Sequence, residues 1–171
     1  MHMHMTSVKF SNTIRAISIA ASLAWGCTTA LAQTAAVKVE GAWARATVQG
    51  QMGTGAFMSL TAKEGTTLIG VSSPIAGVAE VHEMKMEGDI MKMRAMPVLD
   101  LPAGKKVDLK PGGFHVMLMD LKAPLAKDST VPMTLLFKNA QGVQSKLELK
   151  LPVSAVAPGT VAGGSPAAHK H

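Results

Sequence analysis

The run Val78-Ala79-Glu80-Val81-His82-Glu83-Met84-Lys85-Met86-Glu87-Gly88-Asp89-Ile90-Met91-Lys92-Met93-Arg94-Ala95-Met96 decides the fold class of this chain of 171 residues. Side-chain character alternates on both sides of Gly88-Asp89, which is the period of a β-strand and not of a helix. Glycine at the first central position suits a type II′ turn, and a two-residue loop then pairs Glu87 with Ile90, Met86 with Met91 and Met84 with Met93. In that register His82, Met84, Met86, Met91 and Met93 share one face of a hairpin, while Glu83, Lys85, Lys92 and Arg94 point the other way, into solvent. A three-residue loop would set Met93 opposite Glu83 and send His82 and Met93 to different faces, so the register is a sharp expectation.

Working outward, short alternating or apolar runs recur between clusters of turn residues. Val37 to Thr47, Gly55 to Ala62 and Thr66 to Ser72 precede the hairpin; Lys105 to Leu109, Phe114 to Leu121, Val131 to Lys138 and Val143 to Val153 follow it. Pro97, Pro102-Ala103-Gly104, Pro111-Gly112-Gly113 and Asn139-Ala140-Gln141-Gly142 punctuate them. With the hairpin that makes nine candidate strands and no stretch of helical periodicity. Strands at this spacing predict an all-β chain, an antiparallel β-sandwich or Greek-key barrel over residues 33–153.

Placed on these strands, four residues form a pattern: His82, then Met93 after ten residues, His115 after twenty-one more, and Met117 after one. His115 and Met117 lie two apart on one strand face and can converge on an ion above the sheet or beyond its rim. Neutral imidazole and thioether donors, with no thiolate and no required carboxylate, suit Cu(I) better than Zn(II), Ca(II) or Mg(II). The expectation is one Cu(I) per chain, held by His82, Met93, His115 and Met117. Methionine stripes more often belong to a core, but two given histidines would meet Met at both remaining positions by composition alone only about once in two hundred. Outside the final three residues and the first 32, His82 and His115 are the only histidines, and both belong to the pattern. Met84 lies on the same face as an accessory thioether or a packing residue; Met86, Met91, Met96, Met119 and Met133 are expected to pack in the core or at its rim.

The ends of the chain read differently. Lys9 and Arg15, the apolar run Ala16 to Trp25 and the small residues Ala30-Leu31-Ala32 have the order of a secretory signal, so residues 1–32 are expected to be removed on export to the periplasm. The upstream Met1-His2-Met3-His4-Met5 goes with them. A ten-residue apolar run is too short to span a membrane, which takes ~20, and no later run is longer. Cys27, the single cysteine, leaves with this segment; bulky Trp25 just before it fits a lipidation site poorly. What remains has no thiol, which excludes a blue-copper centre and thiol–disulfide exchange. The net charge of +6 falls to +4 when Lys9 and Arg15 are removed, the basic residues are scattered and aromatics are only 4% of the chain, so nucleic-acid binding has no support. Residues 154–171 are rich in Ala, Gly, Pro and Val, a flexible tail ending in His169-Lys170-His171; His169 and His171 are candidates for a second, weak Cu(II) site.

The pattern closely resembles the periplasmic copper chaperones of the PCu(A)C family, together with Val81-His82-Glu83-Met84, Met91-Lys92-Met93-Arg94 and Lys110-Pro111-Gly112-Gly113-Phe114-His115-Val116-Met117-Leu118-Met119. Ala42-Trp43-Ala44-Arg45, Gly55-Ala56-Phe57-Met58 and Ser73-Pro74 extend the resemblance over residues 37–152. It implies a cupredoxin-like β-sandwich, an accessible Cu(I) site built by the four matching residues, and supply of copper to the copper-A centre of cytochrome c oxidase beside a thioredoxin-like assembly partner. A monomer is expected.

Two readings compete with such a carrier: a general periplasmic copper or silver buffer for metal tolerance, and a metal-free β-sandwich used for adhesion or assembly. An enzyme is not expected, because no nucleophile–base pair or paired carboxylates stand out. Two-histidine ligation also predicts that acid weakens Cu(I) binding, since imidazole must be neutral to ligate and its reference pKa is ~6.5. Unchanged affinity between neutral pH and pH ~5 in a competition assay would contradict it.

Overall fold

In the computed structural model, residues 36–159 are described, and among them every regular element is a strand. Ten strands run in chain order: β1 (Val37–Arg45), β2 (Gly53–Ala62), β3 (Thr66–Ser72), β4 (Ala76–Glu87), β5 (Ile90–Met96), β6 (Leu99–Leu101), β7 (Lys106–Leu109), β8 (Phe114–Leu121), β9 (Thr130–Asn139) and β10 (Gln144–Ser154). The nine expected strands are all present. The tenth, β6, is three residues between Pro97 and Pro102, and its Leu99 and Leu101 reach the core while Asp100 stays outside. The signal segment, residues 1–32 with Cys27, and the tail histidines His169 and His171 lie outside the described residues.

Neighbouring strands follow the order β5-β4-β8-β7-β2-β1-β10-β9-β3-β6, with β8 also pairing with β2. Pairing is antiparallel, as expected, except for two short parallel contacts. Leu109 lies beside Phe114 between β7 and β8, and Ala44-Arg45 lie beside Val153-Ser154 between β1 and β10. The β1–β10 contact joins the half of the sheet that carries β5-β4-β8-β7-β2-β1 to the half that carries β10-β9-β3-β6. Alternate residues from both halves meet in one core: Leu60, Val81, Leu109, Val116 and Leu118 from the first, Leu68, Leu101, Leu135, Phe137 and Leu151 from the second. A strand presents every second side chain to such an interior, so the other set of β4 and β8 residues lies on the outer face of the sandwich.

The hairpin register is the expected one: Glu87 opposes Ile90, Met86 opposes Met91 and Met84 opposes Met93. Gly88 takes a φ of 63°, the positive value that a type II′ turn requires at its first central residue. On the far side β4 pairs with β8, with Val81 opposite Val116 and His82 opposite His115. Core and outer faces therefore alternate in step across all three strands. Glu83 pairs with Arg94 and Glu87 with Lys92, each at 2.8 Å, on the charged face of the hairpin.

One irregularity bears on the outer face. The β1–β2 register shifts between Glu40 and Trp43, where Gly41 adopts a φ of 58°. Such a bulge inserts a residue and reverses the side-chain parity beyond it. Val39, opposite Leu60, faces the core before it; Trp43, opposite Phe57, faces outward after it. Glycine is suited to the position because a side chain there would be strained at positive φ.

Candidate metal centre

The outer face of β4, β5 and β8 gathers the four predicted ligands. His82 and His115 are directly opposed, with ring centroids 6.0 Å apart. Two imidazoles on one ion, each with a nitrogen about 2 Å from it, hold their centroids about 5 to 6 Å apart, so the pair sits near the spacing that a shared ion needs. Met93, His115 and Met117 line a single depression together with Met84, Arg45, Phe57 and the backbone of Gly53, Gly55 and Gly112. His82 is not on its wall; it lies beside His115, one diagonal step from Met93.

Although they face away from the core, the two imidazoles are nearly covered: His82 is 9% exposed and His115 6%. On the His115 side, aromatic rings placed by β1 and β2 flank the pair. Phe57 stands 6.4 Å from His115 and Trp43 stands 4.8 Å from Phe57, with the Arg45 guanidinium 5.4 Å over the Phe57 ring. Gly55 is what lets Phe57 lie there, since a Cβ at that position would come within 2.6 Å of the ring. Buried aromatic surface beside the donors excludes water and lowers the local dielectric, which strengthens each polar contact made inside.

Each histidine has one ring nitrogen committed to a protein partner. His115 Nδ1–H donates to the Gly113 carbonyl at 3.0 Å, which leaves Nε2 with a lone pair. The same carbonyl accepts Met84 N–H at 3.1 Å and so ties β4 to the ring. Its position follows from Lys110-Pro111-Gly112-Gly113: Gly113 N–H donates to Lys110 O at 3.1 Å and Gly112 has a φ of 81°, the pattern of a type II turn with Pro and Gly at its centre. His82 Nε2–H donates to Glu80 Oε2 at 3.1 Å, which leaves Nδ1 as the lone-pair nitrogen. That Nδ1 is buried and, among the described residues, has no hydrogen-bond partner. Leaving a buried polar atom unpaired costs about 1 to 3 kcal/mol, a cost that a ligand at Nδ1 would remove.

A carboxylate or carbonyl behind each imidazole is the usual support for a metal-bound histidine, fixing its tautomer and raising its basicity. Glu80 is the residue that sequence reasoning missed. It sits two positions before His82 and directly opposite Met117, but a carboxylate on an alternating strand reads as a solvated charge unless its neighbour's need for an acceptor is considered. Phe57 and Trp43 carry no site signal in the sequence, because the bulge that turns Trp43 outward is invisible to strict alternation.

The other methionines divide. Met133 is in the core and Met96 packs against it, as expected. Met86 and Met91 do not pack: they are 54% and 50% exposed, because the end of the hairpin projects beyond the covered part of the sheet. Among the described residues no three side chains of the His, Cys, Asp and Glu types come together, so the donor set that does gather is the mixed imidazole–thioether one.

Comparison with known proteins points the same way. The family model described as "Putative lipoprotein LpqE-like" matches residues 37–153. "Putative lipoprotein Lxx21020" of Leifsonia xyli subsp. xyli is 30% identical over 142 residues, 77% of this chain and 86% of that protein. Among solved structures, the copper-bound PCuAC domain from PmoF2 superposes with a TM-score of 0.57 at 25% identity, covering 72% of this chain and 97% of that one. Apo-DR1885 from Deinococcus radiodurans gives 0.53 at 32% identity, over 85% and 96% of the two chains, and its Cu(I) form gives 0.54 at 28% identity, over 75% and 83%. The cupredoxin-like sandwich that the sequence resemblance implied is the fold found.

Proposed function

The chain belongs to the LpqE-like family and is of the PCu(A)C type, and from that premise we propose that it is a Cu(I) carrier that holds one ion between His82, Met93, His115 and Met117 and delivers it to the copper-A centre of cytochrome c oxidase. The observation that carries the reading is the buried Nδ1 of His82, which has no hydrogen-bond partner among the described residues. It sits on the ring opposite His115, whose own Nδ1 is already engaged. The likeness to a copper-bound PCuAC domain and to Cu(I)-DR1885 supports copper as the ion.

The chain's residues divide the work of holding and releasing. Glu80 and Gly113 orient the imidazoles before the ion arrives, so binding requires little reorganisation. Met93 is half-exposed and Met117 lines the open depression, so these sulfurs face the side from which a partner's donor enters. The thioethers are neutral and individually weak, and the ion is passed by exchanging one donor at a time, with no change of oxidation state. A thioredoxin-like assembly protein is the expected helper. The relatives' lipoprotein names support an exported protein, and the chain is read as periplasmic and monomeric.

X-ray absorption on the Cu(I)-loaded protein should count two nitrogen and two sulfur neighbours. Native mass spectrometry should show one tightly held copper in the wild type and its loss in Met93→Leu and in His115→Ala. Transfer to an apo copper-A domain, compared with an unrelated copper acceptor, separates a dedicated carrier from a general buffer. Equal transfer to both acceptors would remove the oxidase from the reading.

A further inference from the structure

Beyond the four-residue site, the β4–β5 hairpin keeps a strict division to its tip. One face carries Glu83, Lys85, Glu87, Lys92 and Arg94 and is joined by cross-strand ion pairs; the other carries Met84, Met86, Met91 and Met93. Among the described residues no element covers the outer part of the methionine face: Met86, Met91 and Met93 are 54%, 50% and 50% exposed, while Met84 is half-buried. Side chains left half in water contribute little hydrophobic stabilisation, so packing does not account for the apolar choice at Met86, Met91 and Met93. All four are sulfur-bearing, and the one aliphatic residue near the tip, Ile90, lies on the charged side; thioether sulfur is a soft donor that suits Cu(I).

The register sets these sulfurs in rungs. Met86 opposes Met91, the next rung is Met84 and Met93, and the next holds His82, which opposes His115 on the other side. Directly opposed Cβ atoms lie about 5 Å apart and successive rungs about 7 Å, distances over which flexible thioether arms reach a common ion. β5 is the edge of the sheet, so the first rung is approachable from outside.

We propose that Met86 and Met91, with Met84 as third donor, form a second and weaker Cu(I) site that loads the His82–Met93–His115–Met117 site. The proposal rests on the copper reading above. It lacks imidazole, and so binds more weakly than the inner site. Transfer inward is ligand exchange: a bond from the ion to Met93 sulfur forms as the bond to Met91 sulfur breaks, and no electron changes hands.

The test is a titration of the full chain, carrying carbon-13 methyl-labelled methionine, with Ag(I) as a redox-inert surrogate for Cu(I). The first equivalent should shift the Met93 and Met117 methyl signals, and the second those of Met86 and Met91. Met86→Leu/Met91→Leu, which preserves volume at exposed positions, should keep the first response and lose the second. It should also slow uptake of Cu(I) from a glutathione-buffered solution without changing the final occupancy of the inner site. Met86 and Met91 signals that stay fixed while Met93 and Met117 move would overturn the second site and leave the inner one standing; no movement of Met93 or Met117 would overturn the inner site itself. An uptake rate unaltered in the double variant would overturn the loading role.

Discussion

Glu80 is the single side chain whose effect on a candidate ligand is easiest to isolate. Its carboxylate holds His82 in the tautomer that leaves Nδ1 bare, and it places a negative charge near a cation whose four proposed donors are all neutral. Glu80→Ala should therefore weaken Cu(I) binding by about 10- to 100-fold in competition with a chromophoric Cu(I) chelator. Glu80→Gln keeps an acceptor for Nε2–H and should lose less. Equal affinity in all three proteins would remove Glu80 from the site. The candidate ligands stood out as a pattern because the stretch outside the termini holds only two histidines and the spacing ties both to methionines. Glu80 did not, since its role depends on which His82 nitrogen needs a partner, and that is a property of burial.

Among the elements, β1 carries the clearest dependence of site on backbone. Without the bulge at Gly41 the parity of Trp43 would reverse, and the ring now stacked on Phe57 would point into the core. No atom lies within 4 Å of a Cβ built on Gly41, so Gly41→Ala tests conformation alone. It should destabilise the fold by about 1 kcal/mol in urea unfolding, through strain at positive φ. β2 and β7 offer a pH test. The Ser59 hydroxyl donates to Asp108 at 2.7 Å and, with Lys106 nearby, holds that carboxyl below its ordinary 3.8. A lowered folded-state value stabilises the fold above 3.8, and the contribution disappears as pH falls through the lower folded value. Ser59→Ala should flatten that acid limb in a pH series of unfolding midpoints; an unchanged limb would assign it elsewhere. Element boundaries were readable where Gly and Pro bracket alternation, as around β5 and β8. They were not at β6, where three residues between prolines are too short to display a period.

For the molecule as a whole, the ion and the fold are linked by mass action. A ligand that binds only the folded chain, at roughly a hundred times its Kd, stabilises it by about 2.7 kcal/mol. Anaerobic Cu(I) should then raise Tm by on the order of 10 °C, and a variant lacking His115 should show no such rise. The sandwich class was visible in the recurrence of strands. Closure by the parallel contact of Ala44-Arg45 with Val153-Ser154 was not, because it joins strands over a hundred residues apart and depends on the global path of the chain.

His82 and Val81 are neighbours on one strand, as are His115 and Val116 on the other, and each pair sends one side chain to the interior and one to the outer face. Whatever fastens the valines together also clamps the imidazoles opposite each other. The two rings are thus set across from each other by the oily half of the protein, before any cargo comes.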